Sequence, residues 1–183
     1  EEQFHDVLNV VITEALNSTT AQVNLLDING NPSETNVNMT FYNTESGKVM
    51  VNYIHTINNR GNPDTIILDP LITYRMVVHT IPPVVVDSIK VFRGKHTVIA
   101  ADAPQGVLKL TARGNLYHDL SFIVRKDGEM KTLNIQKINK EEKYLIGKYD
   151  LEVPVLPRLM IDDVQIKQST TTSVEIPQPG LVT

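Results

Sequence analysis

The residues most able to do chemistry in this chain are its five histidines, and their spacing argues against a metal site. They are His5, His55, His79, His96 and His118. None is followed at the second or fourth position by another residue of ligand type, which is the spacing that metal sites commonly use. We therefore expect histidines that are exposed or satisfied by the surrounding protein, and no bound metal.

The carboxylates give no clearer sign of catalysis. Asp87 and the pair Asp162-Asp163 occupy matching places in the two halves of the chain, but an aspartate at such a place more often caps a turn through its own backbone. Glycoside hydrolysis needs two facing carboxylates in a cleft, and nothing marks such a pair. The sequence also lacks a Gly-x-Ser-x-Gly elbow, a phosphate-binding glycine loop and a dinucleotide fingerprint. We expect no catalytic residues and no cofactor, and we expect that the chain is not an enzyme.

Lysine and aromatic side chains are the other residues that could do chemistry. Lys109 and Glu175 are similar in placement to the self-crosslinking residues of certain adhesin domains, but the third partner is not evident, and a solvent-facing Lys109 is the simpler expectation. Aromatic side chains that could stack on a sugar are few, because the chain has no Trp, four Phe and six Tyr. Tyr42 and Tyr117 are the possible exposed ligand contacts.

Composition excludes several other functions. The net charge is −4 with a sequence pI near 5.7, and Lys and Arg are scattered singly, so no basic stripe is available for nucleic acid. There is no Cys, which removes disulfides and thiolate ligands. No apolar run approaches the roughly 18 residues of a membrane span. The first residue is not Met and no signal peptide follows, which suggests a mature or excised piece of a longer protein.

The elements that must position these residues come from an internal repeat. The segment from Tyr74 to Pro82 matches the segment from Tyr149 to Pro157 in sequence, at an offset of 149 − 74 = 75 residues. Upstream, Met39-Thr-Phe41 resembles Leu120-Ser-Phe122 at an offset of 81, and we expect the difference to lie in the turn-rich residues 58–64. The alternative is two strand-rich segments that resemble each other through composition alone. The shared spacing of Tyr, Pro and Asp favours a duplication.

Each copy is predicted to be a small β-sandwich. Alternating apolar residues and regularly spaced turn signals indicate about seven short strands per copy. The fold class is therefore mainly β, with two tandem seven-stranded immunoglobulin-like or prealbumin-like sandwiches over residues 21–104 and 105–183. The alternation predicts one core from Val23, Leu25, Val37, Met39, Phe41, Val49, Val51, Tyr53, Tyr74, Met76, Val78, Ile89 and Val91, and a second from Leu108, Leu110, Leu120, Phe122, Val124, Leu133, Ile135, Tyr149, Leu151 and Val153.

Residues 1–20 have a different pattern. Apolar residues from Phe4 to Ala15 recur at three- and four-residue intervals opposite acidic residues, which predicts a short amphipathic helix. Such a helix could pack on the first sandwich or be the last helix of a preceding domain. The missing start of the chain favours the second alternative.

Three segments carry a resemblance to a known family. These are Ala15-Leu-Asn-Ser-Thr-Thr-Ala-Gln-Val-Asn-Leu-Leu-Asp-Ile-Asn-Gly30, the segment from Tyr74 to Pro82, and Ala103-Pro-Gln-Gly106. Together they resemble the region that follows the von Willebrand factor A domain in certain bacterial envelope proteins. The metal-binding Asp-x-Ser-x-Ser motif of that domain is absent here, so its metal site does not carry over. The repeats are also similar in pattern to prealbumin-like and carboxypeptidase-regulatory-like modules.

The resemblance implies a context and leaves three functions open. It implies a periplasmic, cell-surface or secreted bacterial protein, in which this region is a structural and protein-interaction module that positions an upstream A-type domain. Its partner would be a protein or that domain of the same chain. The alternatives are a carbohydrate-binding accessory module and a fragment of an enzyme or transporter subunit, which would require a deep pocket.

Overall fold

A computed structural model of the chain describes residues 19–112 and 119–176, and none of these residues is helical. Residues 1–18, which hold the predicted N-terminal helix, lie outside the described residues. The first strand begins at Thr20. The described chain is mainly β and consists of two tandem sandwiches, which confirms this part of the predicted fold class. The described residues divide into two compact units: unit 1 comprises residues 19–79 and 83–103, and unit 2 comprises residues 80–82, 104–112 and 119–176.

Unit 1 contains two sheets that enclose one core. Its strands are β1 (Thr20–Leu26), β2 (Val37–Asn43), β3 (Val49–His55), β4 (Thr65–Ile67), β5 (Tyr74–Val78), β6 (Val84–Ile89) and β7 (His96–Asp102). A three-stranded sheet has the order β4-β1-β7, and a four-stranded sheet has the order β3-β2-β5-β6. The first strand runs parallel to the last and antiparallel to β4.

Unit 2 repeats this arrangement. Its strands are β8 (Gln105–Ala112), β9 (Ser121–Lys126), β10 (Thr132–Lys137), β11 (Glu141–Leu145), β12 (Gly147–Val153), β13 (Leu159–Ile166) and β14 (Thr171–Ile176). The sheet orders are β11-β8-β14 and β10-β9-β12-β13, which are those of unit 1 with every strand number raised by seven. Each first strand lies between the fourth and the seventh. An immunoglobulin constant domain instead joins its first strand to a sheet of order ABED.

The sheet register corrects one part of the sequence alignment. Phe41 pairs with Met76, and Val124 pairs with Leu151, which is 75 residues beyond Met76. Phe41 and Val124 are therefore equivalent, and the offset on this strand is 124 − 41 = 83. The predicted offset of 81 is wrong by two residues. A shift of two leaves every side chain on the same face of a strand, so the apolar pattern alone could not detect it.

Irregularities of the two units also coincide. A register shift interrupts the pairing of β5 with β6 after Tyr74, and the same shift follows Tyr149 in unit 2. Beside these shifts, Ser88 and Asp163 have left-handed backbones with φ of 59° and 58°. Thr65 and Glu141 hold equivalent places beside the first strands, at an offset of 76. Unit 2 is therefore seven residues shorter between its third and fourth strands, in the loop where the sequence predicts the difference.

The two cores contain most of the predicted residues. In unit 1, the side chains on β1, β2 and β5 are buried as expected, and in unit 2 the same holds for β8, β9 and β12. The predictions for Val49 and Ile135 are wrong, because both side chains are exposed. A register shift in each of the pairs β2–β3 and β9–β10 changes which residues of the third strand face inward. In unit 2 the inner positions of β10 are taken by Asn134 and Gln136.

Candidate functional site

The best-defined candidate site is the side of the sheet β3-β2-β5-β6 that faces away from the core, which we call the outer face of unit 1. Met39 and Phe41 on β2, and Met76 and Val78 on β5, are fully buried in the core. Because side chains alternate along a strand, the residues between them point to the opposite side. This places Thr40, Tyr42, Arg75, Val77 and His79 on the outer face, with Val49, Asn52, Ile54, Val85 and Asp87 on the flanking strands.

The centre of the outer face is a polar network around Thr40. The Thr40 side chain is buried even though it faces away from the core. Its Oγ1 lies 2.8 Å from Nε2 of His79 and accepts a hydrogen bond from Nδ2 of Asn52 at 2.7 Å. A hydroxyl has one proton and two acceptor lone pairs, so it can satisfy both neighbours. The network ties β3, β2 and β5 together and fixes the side chains around it.

Apolar side chains surround this centre on the edge strands. Val49 and Ile54 on β3 are 57% and 62% exposed, and Val85 on β6 is 49% exposed. The solvent-facing side of an antiparallel sheet is usually polar, so three exposed aliphatic side chains on one face are unexpected. Exposed apolar area of this kind commonly marks an interaction surface.

Tyr42 lies at one end of the outer face, in an open groove of about 350 Å³. The groove is lined by Tyr42, Asn43, Thr44, Gly47, Arg75 and Val77. Arg75 is held in place by an ion pair with Asp87. The structure thus places Tyr42 half-buried beside polar and cationic side chains, whereas Tyr117 lies outside the described residues.

The equivalent face of unit 2 has different chemistry. Tyr42 corresponds there to Arg125 and Val77 to Glu152. Glu152 is buried although it lies between the core residues Leu151 and Val153 and so points away from the core. Arg125 contacts its carboxylate at 2.7 Å and Arg158 at 3.1 Å. A buried carboxylate requires such partners. An ion-pair network therefore occupies the positions that the uncharged Tyr42 and Val77 hold in unit 1.

The other candidate residues are dispersed over the described chain. Between Thr19 and Ala112 and between Asp119 and Ile176, no three His, Cys, Asp or Glu residues are grouped so that they could hold a metal ion. Asp87 and Asp163 form ion pairs with the basic residues of the neighbouring strand, Arg75 and Lys148. Lys109 is partly exposed and lies 3.1 Å from Glu141. His5 and His118 lie outside the described residues.

The three described histidines have different surroundings. The ring nitrogens of His96 contact Thr20 at 2.9 Å and Gln22 at 3.2 Å, and His79 belongs to the Thr40 network. His55 is 1% exposed, and neither of its ring nitrogens has a hydrogen-bond partner among the described residues. The expectation of exposed or satisfied histidines is wrong for His55.

Sequence reasoning missed most of the outer face. The signal was present on β3, where Val49-Met-Val-Asn-Tyr-Ile54 has apolar residues at both odd and even positions. A strand with one solvated face should alternate. When apolar residues occupy both odd and even positions of a strand, some of them must lie on its solvent-facing side.

Comparisons with known proteins add little to this picture. No protein-family model and no curated protein matches the chain. Among solved structures it is similar to a chain described as the Bacillus anthracis TIE protein, with a TM-score of 0.33 and 16% sequence identity. The match covers 86% of this chain and 33% of that one, so this chain spans about a third of its length. A likeness this weak carries no argument about fold or function. In the part of the chain that is described, no helix is long and apolar enough to cross a membrane.

Proposed function

We propose that this chain is a non-catalytic structural and protein-interaction module of a bacterial envelope or secreted protein, in which it positions an upstream von Willebrand factor A-type domain. The envelope context rests on the resemblance described above. The observation that carries the interaction role is the exposed aliphatic surface around the ordered centre of the outer face. A periplasmic, cell-surface or secreted location follows from the same resemblance.

The exposed aliphatic side chains of this surface are of the kind that contribute to the centre of a protein interface. Such centres are depleted in charge and gain most of their binding energy from a few apolar or aromatic side chains that become fully desolvated. Ile54, Val85 and Val49 offer such side chains, and Tyr42 adds an aromatic ring. Because the Thr40 network already holds the three strands in place, binding would order few additional groups, which lowers its entropic cost.

The comparison with unit 2 supports a role outside folding. Unit 2 has the same strand order and register, but it places Lys137 where unit 1 has Ile54, and Glu152 where unit 1 has Val77. The sandwich therefore folds with charged groups at these positions. Apolar side chains at Ile54 and Val77 are therefore not a requirement of the fold, so we assign them to partner recognition.

The test exchanges one residue between the two units. Ile54→Lys introduces the residue that unit 2 has at the equivalent position, and it should leave the stability nearly unchanged. Calorimetric titration of the chain with the separately produced A-type domain from the same reading frame should show affinity reduced by about tenfold or more, since the loss of an apolar contact that dominates binding costs more than about 1 kcal/mol.

Ile135→Lys is the matched control, because Ile135 is an exposed isoleucine on the outer face of unit 2. It should leave the affinity unchanged. The proposal fails if the unaltered chain does not bind the domain, or if both variants weaken binding equally.

A second candidate is a carbohydrate-binding accessory module. It is favoured by the groove at Tyr42, where an aromatic ring, Asn43 and Arg75 line one open space, since sugars bind by stacking on aromatic rings and by hydrogen bonds to polar groups. A glycan array should then give a signal that Tyr42→Ala removes. Silence across the array would leave the protein-interaction role alone.

A further inference from the structure

His55 is buried in the core of unit 1 at the end of β3. It pairs with Val37 on β2, and the residue is 1% exposed. Neither ring nitrogen has a hydrogen-bond partner among the described residues, and the same is true of the hydroxyl of Tyr53, two residues earlier on the same inward-facing side. Buried polar groups are almost always hydrogen-bonded. Three such atoms on one strand end are therefore an unusual feature of unit 1.

Unit 2 has different residues at the positions equivalent to His55 and Tyr53. Val37 pairs with His55 in unit 1, and at the equivalent place in unit 2 the backbone N–H of Ile138 donates to the oxygen of Leu120. Ile138 thus replaces His55 and is buried. Gln136 replaces Tyr53. Its side-chain amide donates hydrogen bonds to the backbone oxygens of Leu108 and Lys140 and accepts one from the Tyr144 hydroxyl. The sandwich does not need an imidazole at this place.

We propose that His55 makes unit 1 sensitive to acid: the imidazole must stay neutral for the end of β3 to remain packed, so acidification favours states in which this strand end and the β3–β4 loop open. Protonating a buried imidazole is unfavourable, because burial in a medium of low polarity disfavours the charged form. Histidine is the side chain whose charge changes between about pH 5 and 8, so it can report acid conditions.

The charged and titratable groups around His55 do not remove this effect. Burial lowers the pKa of His55, while the carboxylate of Asp64 on the β3–β4 loop and the backbone of Glu34 on the β1–β2 loop act in the opposite direction without cancelling it. Asp64 is itself engaged, since the hydroxyl of Thr56 donates to it at 2.5 Å. Burial raises the pKa of Tyr53, so its hydroxyl stays neutral throughout the acid range.

The sign of the pH effect follows from linkage. In the unfolded chain His55 takes up a proton near its ordinary pKa of about 6.5, whereas in the folded chain it does so at lower pH. Stability is therefore complete above about pH 6.5 and falls as the pH drops towards the folded pKa. Within that window the unfolding equilibrium constant should rise by up to about tenfold per pH unit, because one proton is taken up on unfolding.

The test compares the full chain with His55→Ile, which introduces the residue of unit 2. Urea unfolding followed by circular dichroism between pH 7.5 and 5 should show the unaltered chain losing stability more steeply than this variant. His96→Gln, at an exposed histidine, is the control and should retain the steep dependence. Equal pH dependence in the unaltered chain and in His55→Ile would overturn the proposal.

A second measurement does not depend on any variant folding. The ring protons of His55 can be followed by NMR through a pH titration of the unaltered chain. An apparent pKa below about 6.5 is expected. An ordinary or raised pKa would mean that the charged form is accepted in place, and the proposal would be wrong.

Discussion

Gly106→Ala should destabilise unit 2 through a direct collision with the backbone. Gly106 lies on β8, where a Cβ atom would stand 2.1 Å from the carbonyl oxygen of Lys167 and 2.8 Å from Cγ2 of Ile166. Carbon and oxygen atoms in contact ordinarily lie at about 3.3 Å or more. The two segments must therefore separate by about 1 Å, and a backbone carbonyl in a packed connection cannot rotate away as a side-chain end can.

The expected cost is at the upper end of what overpacking produces, about 3 kcal/mol. With a urea dependence of about 1.5 kcal/mol per molar, the transition that reports unit 2 should move down by about 2 M. Circular dichroism and tyrosine fluorescence can both follow it. Neither unit contains Trp, so the tyrosines of the cores are the intrinsic fluorescent probes.

Gly128→Ala separates this collision from simple backbone strain. Gly128 has a positive φ of 72° but no atom within 4 Å of an added Cβ, so its cost should be about 1 kcal/mol. The reasoning is refuted if Gly106→Ala lowers the free energy of unfolding no more than Gly128→Ala does. The contact between β8 and the Lys167 backbone would then have room for a methyl group.

Three other variants or conditions test the packing of the two units. Tyr144→Phe should cost about 1–3 kcal/mol in equilibrium unfolding, because the Tyr144 hydroxyl donates to Gln136 and accepts from Asn134 at 2.9 Å each; a neutral result would contradict it. Ser88→Gly should raise the melting temperature and add up to about 1 kcal/mol to the free energy of unfolding, because glycine adopts the left-handed backbone without strain. A lower melting temperature would show that contacts of the Ser88 side chain outweigh this strain. Burial raises the pKa of Tyr144 and Tyr149 to about 12, above the unfolded value near 10. The melting temperature should therefore fall as the pH rises from 10 to 12, and less so in Tyr144→Phe.

The repeat and the strands could be predicted because they depend on local spacing. Tyr74 and Tyr149 anchor matching strands, and each places its ring edge-to-face against another core aromatic, Phe41 or Tyr144. Alternation identified most core residues. The alignment of the second strand failed by two residues because a two-residue shift preserves that alternation.

The site and the buried charges could not be predicted because they depend on pairing between strands. Glu152 occupies an outward position, so its burial follows only from its contacts with Arg125 and Arg158. His55 occupies an inward position that a strand pattern would assign to an apolar residue. The exposure of Val49 and Ile135 follows from register shifts between paired strands. Each case requires knowledge of the neighbouring strand.

Hydrogen exchange followed by mass spectrometry tests most directly whether each set of seven strands buries a core of its own. Leu110→Ala in unit 2 and Met76→Ala in unit 1 each remove a fully buried side chain, at a cost of about 2–5 kcal/mol. We expect Leu110→Ala to lower protection in β8–β14 and to leave β1–β7 unchanged, with the reverse pattern for Met76→Ala. A uniform loss of protection across all fourteen strands in either variant would contradict two separate cores.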